Sequence, residues 1–324
     1  MSLITLNNIS RHFRQMRKTV KAVDNISLSI GQKEIICLVG ESGCGKTTTG
    51  KMAAGLLEPT LGSILFEGQD ISQLKGAAYM RWRRAVQMVH QDPFSSLNPV
   101  RTVYQTLSAP LLYHKICSDE RSARKRAIEL LELVDLTPAE EVVDKFPHQL
   151  SGGQRQRVSV ARALTVNPQF IVADEAVSMV DVSIRAALLS MLGRLNRELG
   201  VSFLFITHDL ALAKHFAWHG RIGVMYTGRM VELGTTPELI NHPQHPYTQA
   251  LMSAIPEADP RITRTKQRLQ LRSEDVPNLL NLPGGCHFHP RCPVWLESRC
   301  DQVQPQLTDV ATGQQVACHV AADR

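Results

Sequence analysis

The chain has 324 residues, 43% of them hydrophobic, and 36 Lys and Arg stand against 30 Asp and Glu for a net charge of +6. That is room for one large domain with a smaller addition, and the mixture of apolar and charged residues excludes an intrinsically disordered chain. No apolar run approaches the roughly 20 residues that span a bilayer, and no charged-then-apolar leader opens the chain, so a cytosolic protein that meets a membrane only through partners is expected.

In chain order, alternation over Leu3–Ile9 and Ile26–Ile30 reads as half-buried strands, and residues 35–39 as a short, fully apolar one. Glycines punctuate 40–45, and residues 46–57 then read as a helix, so strand, glycine loop and helix open an α/β unit. Residues near 92–165 look largely helical: Ala127, Leu130, Leu131 and Val134 recur at helical spacing, and Ser118 before Asp119 and Glu120 is a plausible helix start. Strands return at 170–173 and 201–206, and 226–233, with Gly228 in it, resembles a hairpin. From Pro256 to Pro283 the chain is polar and proline-punctuated, a linker. Four of the seven cysteines crowd the segment beyond it.

Gly40, Gly45, Lys46 and Thr47 stand in the spacing G-x-x-x-x-G-K-[ST]. Glycines let successive N–H groups turn inward around phosphate oxygens, and the following helix adds its positive end. Lys46 suits the β- and γ-phosphates, and the Thr47 hydroxyl suits Mg²⁺. The run Phe170–Asp174 is an apolar strand ending in Asp174 and Glu175; the first acid is placed to hold Mg²⁺, the second to polarise a water. Ser151, Gly152, Gly153 and Gln154 open a helix read over 155–166 and form a second anion-receptive tip. One nucleotide needs one cradle from its own chain, so a second suggests a nucleotide held by another chain.

With Gln91 in Val89-His-Gln-Asp-Pro-Phe, Asp181, and His208 in Ile206-Thr-His-Asp, these motifs stand in the order of the ABC-transporter ATPase family, which residues 3–255 closely resemble. The resemblance implies an α/β P-loop NTPase fold with a β-rich N-terminal part and a helical subdomain at about 92–165. It also implies an ATPase domain over 1–255, followed by a linker and extension over 256–324. Two such subunits pair head to tail around ATP. Gly40, Ser42, Gly43, Cys44, Gly45, Lys46, Thr47 and Thr48 cradle the nucleotide, and Ser151–Gln154 touch it from the partner. Thr47, Gln91 and Asp174 hold Mg²⁺; Glu175 is the general base; His208 contacts the γ-phosphate; Asp181 lies at the dimer interface; Phe13 stands where the family puts an aromatic against adenine. One departure is Ala176, where the family usually has Pro, so the turn lacks that φ restraint.

His242-Pro-Gln-His245-Pro246-Tyr247 and Gly285-Cys286-His-Phe-His-Pro-Arg-Cys292 resemble the dipeptide and oligopeptide importer subfamily. Cys286, Cys292, Cys300 and Cys318, spaced C-x5-C-x7-C-x17-C, suit an iron–sulfur cluster or tetrahedral zinc, with His287, His289 and His319 as nitrogen alternatives. The resemblance favours a structural [4Fe–4S] cluster over Zn²⁺ and over four reduced, unliganded thiols. It further implies two integral membrane permease subunits, a second related ATPase in a heterodimer rather than a homodimer, an extracytoplasmic solute-binding protein acting indirectly, no nucleic acid, and a peripheral place on the cytoplasmic face of the bacterial inner membrane. Peptides are the expected cargo; oligosaccharides, nickel or another small solute are the alternatives. A soluble non-transport ATPase and a non-hydrolysing regulatory member are the rival classes.

Overall fold

The computed structural model describes residues 2–15, 18–178, 180–255, 269–311 and 313–323. Along the chain run β1 (Ser2–Gln15), β2 (Lys18–Gly31), β3 (Ile35–Val39), α1 (Lys46–Ala53), β4 (Leu61–Phe66), β5 (Gln69–Asp70), α2 (Gly76–Ala85), β6 (Val86–Val89), α3 (Pro93–Ser96), α4 (Val103–Tyr113), α5 (Glu120–Leu133), α6 (Ala139–Val142) and α7 (Gly152–Leu164). There follow β7 (Phe170–Asp174), α8 (Val182–Leu199), β8 (Ser202–Ile206), α9 (Leu210–Phe216), β9 (Arg221–Tyr226), β10 (Arg229–Thr235), α10 (Thr236–Asn241), α11 (Pro246–Ala254), β11 (Thr308–Ala311), β12 (Gln314–Val316) and α12 (His319–Ala322). Contacts divide the chain into a helical unit (Met1–Ile4, Ile30–Glu34, Leu65–Ile206) and a loop unit (Thr5–Ser29, Ile35–Ile64, Thr207–Arg324).

In the helical unit β8, β7 and β6 lie side by side and parallel, with Phe170 opposite both Val86 and Ser202. Every residue of β7 and β8 is buried, the continuous apolar run that a parallel sheet covered on both faces requires. Helix α5 buries Ala123, Ala127, Leu130 and Leu131 against α4, α6 and α7. Its start differs from the expectation at Ser118. Asp119 is the cap, its carboxylate accepting from Ser122 N at 2.8 Å, while Ser118 only donates to Asp119 Oδ2 at 2.9 Å. A carboxylate both accepts and answers the helix's positive end, so it displaces the neutral hydroxyl.

In the loop unit the order β11-β12-β10-β9-β3 is antiparallel except for β3 and β9, which are parallel with Val39 opposite Val224. A second sheet has the order β2-β1-β4-β5, and Ile26 and Leu28 alternate inward along β2. The expected hairpin is β9–β10. Thr227 and Gly228 both have positive φ, 40° and 86°, which matches the twist of a two-residue turn to that of its strands. Helix α1 ends at Ala53, short of the expected 57. Residues 269–283 carry neither helix nor strand; the rest of the expected linker, 256–268, lies outside the described residues. Among the described residues no helix is long and apolar enough to cross a membrane.

Candidate functional site

The loop of residues 40–47 joins β3 to α1 within the loop unit. Gly40 has φ 149° and Gly45 has φ 101°; a Cβ would lie 2.2 Å from Met225 O at the first and 2.3 Å from Ala22 O at the second. Only glycine takes this path between two fixed carbonyls. Gly43 also has positive φ, 80°, but open space around it. Gly45 caps α1 without a side-chain acceptor, and no acid stands in the first turn, so the positive helix end is not answered by its own residues. Buried Lys46 curls over the loop, its Nζ donating to Gly40 O at 2.7 Å and Glu41 O at 2.9 Å. Cys44 Sγ lies 3.6 Å from the same Nζ; burial pushes the Cys44 thiol up despite the opposing pull of Lys46. Thr47 is exposed on the first turn and Thr48 is half-buried behind it.

His208 also belongs to the loop unit and is exposed just before α9, whose cap Asp209 accepts from Ala211 N and Leu212 N. Phe13 on β1 is exposed, with the Arg11 guanidinium 4.9 Å from its ring centre. It is therefore an accessible aromatic face rather than a core residue.

In the helical unit, Asp174 ends β7 almost fully buried, and Glu175 takes the next position with φ 45°. That is a left-handed conformation, which costs a non-glycine residue about 1–3 kcal/mol and persists where surroundings impose it. Here Glu175 N donates to Ile206 O at 2.9 Å, and Gln91 Nε2 donates to Glu175 Oε2 at 2.9 Å. The structure thus brings together Gln91 and Glu175, which are 84 positions apart. The turn without proline is tied by other means. Ser178 Oγ and N both donate to Glu175 O, and Arg185 donates to Ser178 O and Val180 O, at 2.8–3.1 Å. Ala176 is buried in this turn. Asp181 is exposed and caps α8 without a side-chain hydrogen bond.

Ser151 caps α7, which begins at Gly152 rather than Arg155. Ser151 Oγ accepts from Gln154 N at 3.2 Å and Gln154 Oε1 accepts from Ser151 N at 2.9 Å, a reciprocal box. Gly153 is buried, where a Cβ would lie 2.8 Å from the Ile184 side chain.

Among the described residues no group of three or more His, Cys, Asp or Glu is placed to hold a metal ion. The tail cysteines are gathered nonetheless: Cys286 N donates to Cys300 O at 2.7 Å, and Cys292, Cys300 and Cys318 are buried. Burial first, then the neighbouring sulfurs, pushes the Cys286 thiol up to about 12 and Cys292 to about 11. One ring nitrogen of each candidate histidine is engaged elsewhere: His287 with Thr227 Oγ1, His289 with Cys286 O, and His319 with Val303 O. The motifs also give no hint of a pairing between Glu41 in the phosphate loop and Arg291 in the tail, whose two terminal nitrogens donate to both carboxylate oxygens at 2.9 and 3.0 Å.

Residues 23–178 match the ABC transporter family, and residues 231–300 match the oligopeptide/dipeptide transporter C-terminal region. The oligopeptide transport ATP-binding protein AppF of Bacillus subtilis is 43% identical over 309 residues, covering 95% of this chain and 92% of that one. An ATP-binding cassette solved as a dimer in a post-hydrolysis state with ADP and Pi aligns at 28% identity and TM-score 0.65, covering 72% of this chain and 98% of that one. CbiO1 of Clostridium perfringens, part of an ABC transporter complex, aligns at 26% identity and TM-score 0.64, covering 74% of this chain and 91% of that one.

Proposed function

Starting from the premise that this chain belongs to the ABC transporter family, we propose that it is the ATP-hydrolysing subunit of an importer of oligopeptides or dipeptides. The observation that carries this is the presence, in one chain, of both the ATPase segment and the peptide-transporter C-terminal segment, matched nearly end to end by an oligopeptide transport relative. ATP binding closes a pair of such subunits and hydrolysis, by removing the bridging γ-phosphate, opens it, a two-state element that permease helices convert into alternating access.

The roles are those the family resemblance implies, and the residues' chemistry suits them. Lys46 and the glycine loop offset phosphate charge, while His208 meets the γ-phosphate and Phe13 the adenine. Thr47, Gln91 and Asp174 offer the oxygen donors that suit Mg²⁺, which supplies charge neutralisation when bound. Glu175, steadied by Gln91, takes a proton from the attacking water. Ser151–Gln154 meet the nucleotide of the partner subunit, and Asp181 lies at that interface. The ATPase domain comprises 1–255, with 92–165 as its helical subdomain and 256–324 as its extension. Its partners are two permeases, a second related ATPase and, indirectly, a solute-binding protein, and its place is the cytoplasmic face of the membrane. Cys286, Cys292, Cys300 and Cys318 would hold a [4Fe–4S] cluster in preference to zinc: four thiols serve either, but the spacing lacks the tight C-x₂₋₄-C pair usual in structural zinc sites, and ligation would supply folding energy to a small tail.

Two measurements test the reading. Deleting this subunit should abolish uptake of radiolabelled trialanine while leaving nickel and maltotriose uptake intact; retained trialanine uptake refutes the cargo. Anaerobically purified protein should carry iron and acid-labile sulfide; zinc in stoichiometric amount, or no metal, refutes the cluster.

A further inference from the structure

Arg291 is only 4% exposed, yet it comes from the Cys-rich tail between Cys286 and Cys292 and reaches the phosphate loop within the loop unit. Its fork grips Glu41 through two hydrogen bonds, and its Nη1 donates to Tyr226 OH at 3.3 Å. The guanidinium carbon lies 5.8 and 5.7 Å from the ring centres of Tyr226 and Phe288. Glu41 is also held by its backbone: its N–H donates to Tyr247 OH at 2.9 Å, and its carbonyl accepts from Lys46 Nζ at 2.9 Å. Tail residues Val276, Pro277 and Leu279 face Ser42, Gly43 and Cys44 across a cavity of about 140 Å³.

Glu41 is a carboxylate inside a loop built to receive a triphosphate, and left alone it would repel that ligand. A bidentate guanidinium both cancels its charge and fixes its direction, which a point charge does less well. We propose that Arg291 is a positioning residue for the phosphate loop: by neutralising and orienting Glu41 it makes the tail part of the apparatus that admits ATP. This rests on the ATP-binding reading above.

The test is a four-variant set on the full chain: R291M, R291K, E41Q and the double variant E41Q/R291M. Each is titrated with a fluorescent ATP analogue, and KM and kcat for ATP are followed by phosphate release from the assembled transporter. R291M should weaken binding about tenfold, equal to about 1.4 kcal/mol, raising KM with kcat kept. R291K should lose less. The double variant should regain affinity, because it removes the carboxylate that R291M leaves exposed to phosphate, and this variant keeps the test decisive even where R291M folds poorly. Unchanged affinity in R291M, or a double variant as weak as R291M, overturns the proposal. A wild-type chain that binds no ATP refutes the functional reading itself and takes this inference with it.

Discussion

Ser151 separates a structural duty from a chemical one. Its hydroxyl closes a capping box with Gln154 at the exposed tip of α7. Ser151→Ala removes that acceptor at a cost of about 1 kcal/mol, a melting shift of about 2–4 °C for a unit of this size. Ser151→Asp restores the acceptor and answers the helix's positive end, so stability should stay at or slightly above wild type. The same carboxylate would face the γ-phosphate that this tip is proposed to meet in the partner subunit. Two like charges about 4 Å apart at an effective dielectric near 20 repel by about 4 kcal/mol, roughly a thousandfold. Phosphate release by the assembled transporter, with a melting curve for each variant, is the assay. S151A should slow turnover modestly, since the tip's N–H groups remain; S151D should melt like wild type and nearly stop. An S151D protein that hydrolyses at the wild-type rate would refute the second cradle.

Further outcomes are expected. Gly45→Ala drives a Cβ to 2.3 Å from Ala22 O at φ 101°; it should cost more than about 2 kcal/mol and abolish nucleotide binding. Gly43→Ala meets nothing within 4 Å at φ 80°, so it should cost only about 1 kcal/mol of left-handed strain; equal melting of the two would contradict the loop geometry. Glu175→Gln should bind ATP as wild type while phosphate release falls by about 10²-fold or more; an unaltered rate removes Glu175 from the base role. Burial lowers the His245 imidazole to about 3. The unfolded chain therefore takes up a proton below about pH 6.5 that the folded chain refuses. Stability should be full above about pH 6.5 and fall toward pH 3, by up to about 1.4 kcal/mol per pH unit. His245→Asn keeps an acceptor for Tyr247 N, now made by Nδ1 at 3.0 Å, and should flatten that slope; an identical slope would place the titration elsewhere.

The parts legible in the sequence are those whose cause is local. Gly40 and Gly45 announce their positive φ because no other residue tolerates it, and the Ser151–Gln154 spacing announces its capping box. Between Ser118 and Asp119 two adjacent cap formers compete, and the stronger carboxylate cap, with Ser122 completing its box, decides it. Strand β12 was not foreseen: Gln314 looks like a surface residue, yet it is buried because its amide donates to Glu232 and to His242 O. Arg291 and Glu41 are 250 positions apart, and nothing in either neighbourhood names the other. Resemblance assigns Gln91 and Glu175 two separate duties, and only the fold supplies the distance that joins them.

The pairing of β12 with β10, Glu232 opposite Val316, changes how the end of the chain should be regarded. Strands β11 and β12 close a border that β10 would otherwise present bare, with a row of unmet amide and carbonyl groups ready to recruit a stranger. A chain clipped after residue 255 would keep every nucleotide motif and still expose that seam. Shortened forms should therefore clump before they lose the ability to recognise ATP, and an affinity handle placed at the terminus needs slack to spare the hem.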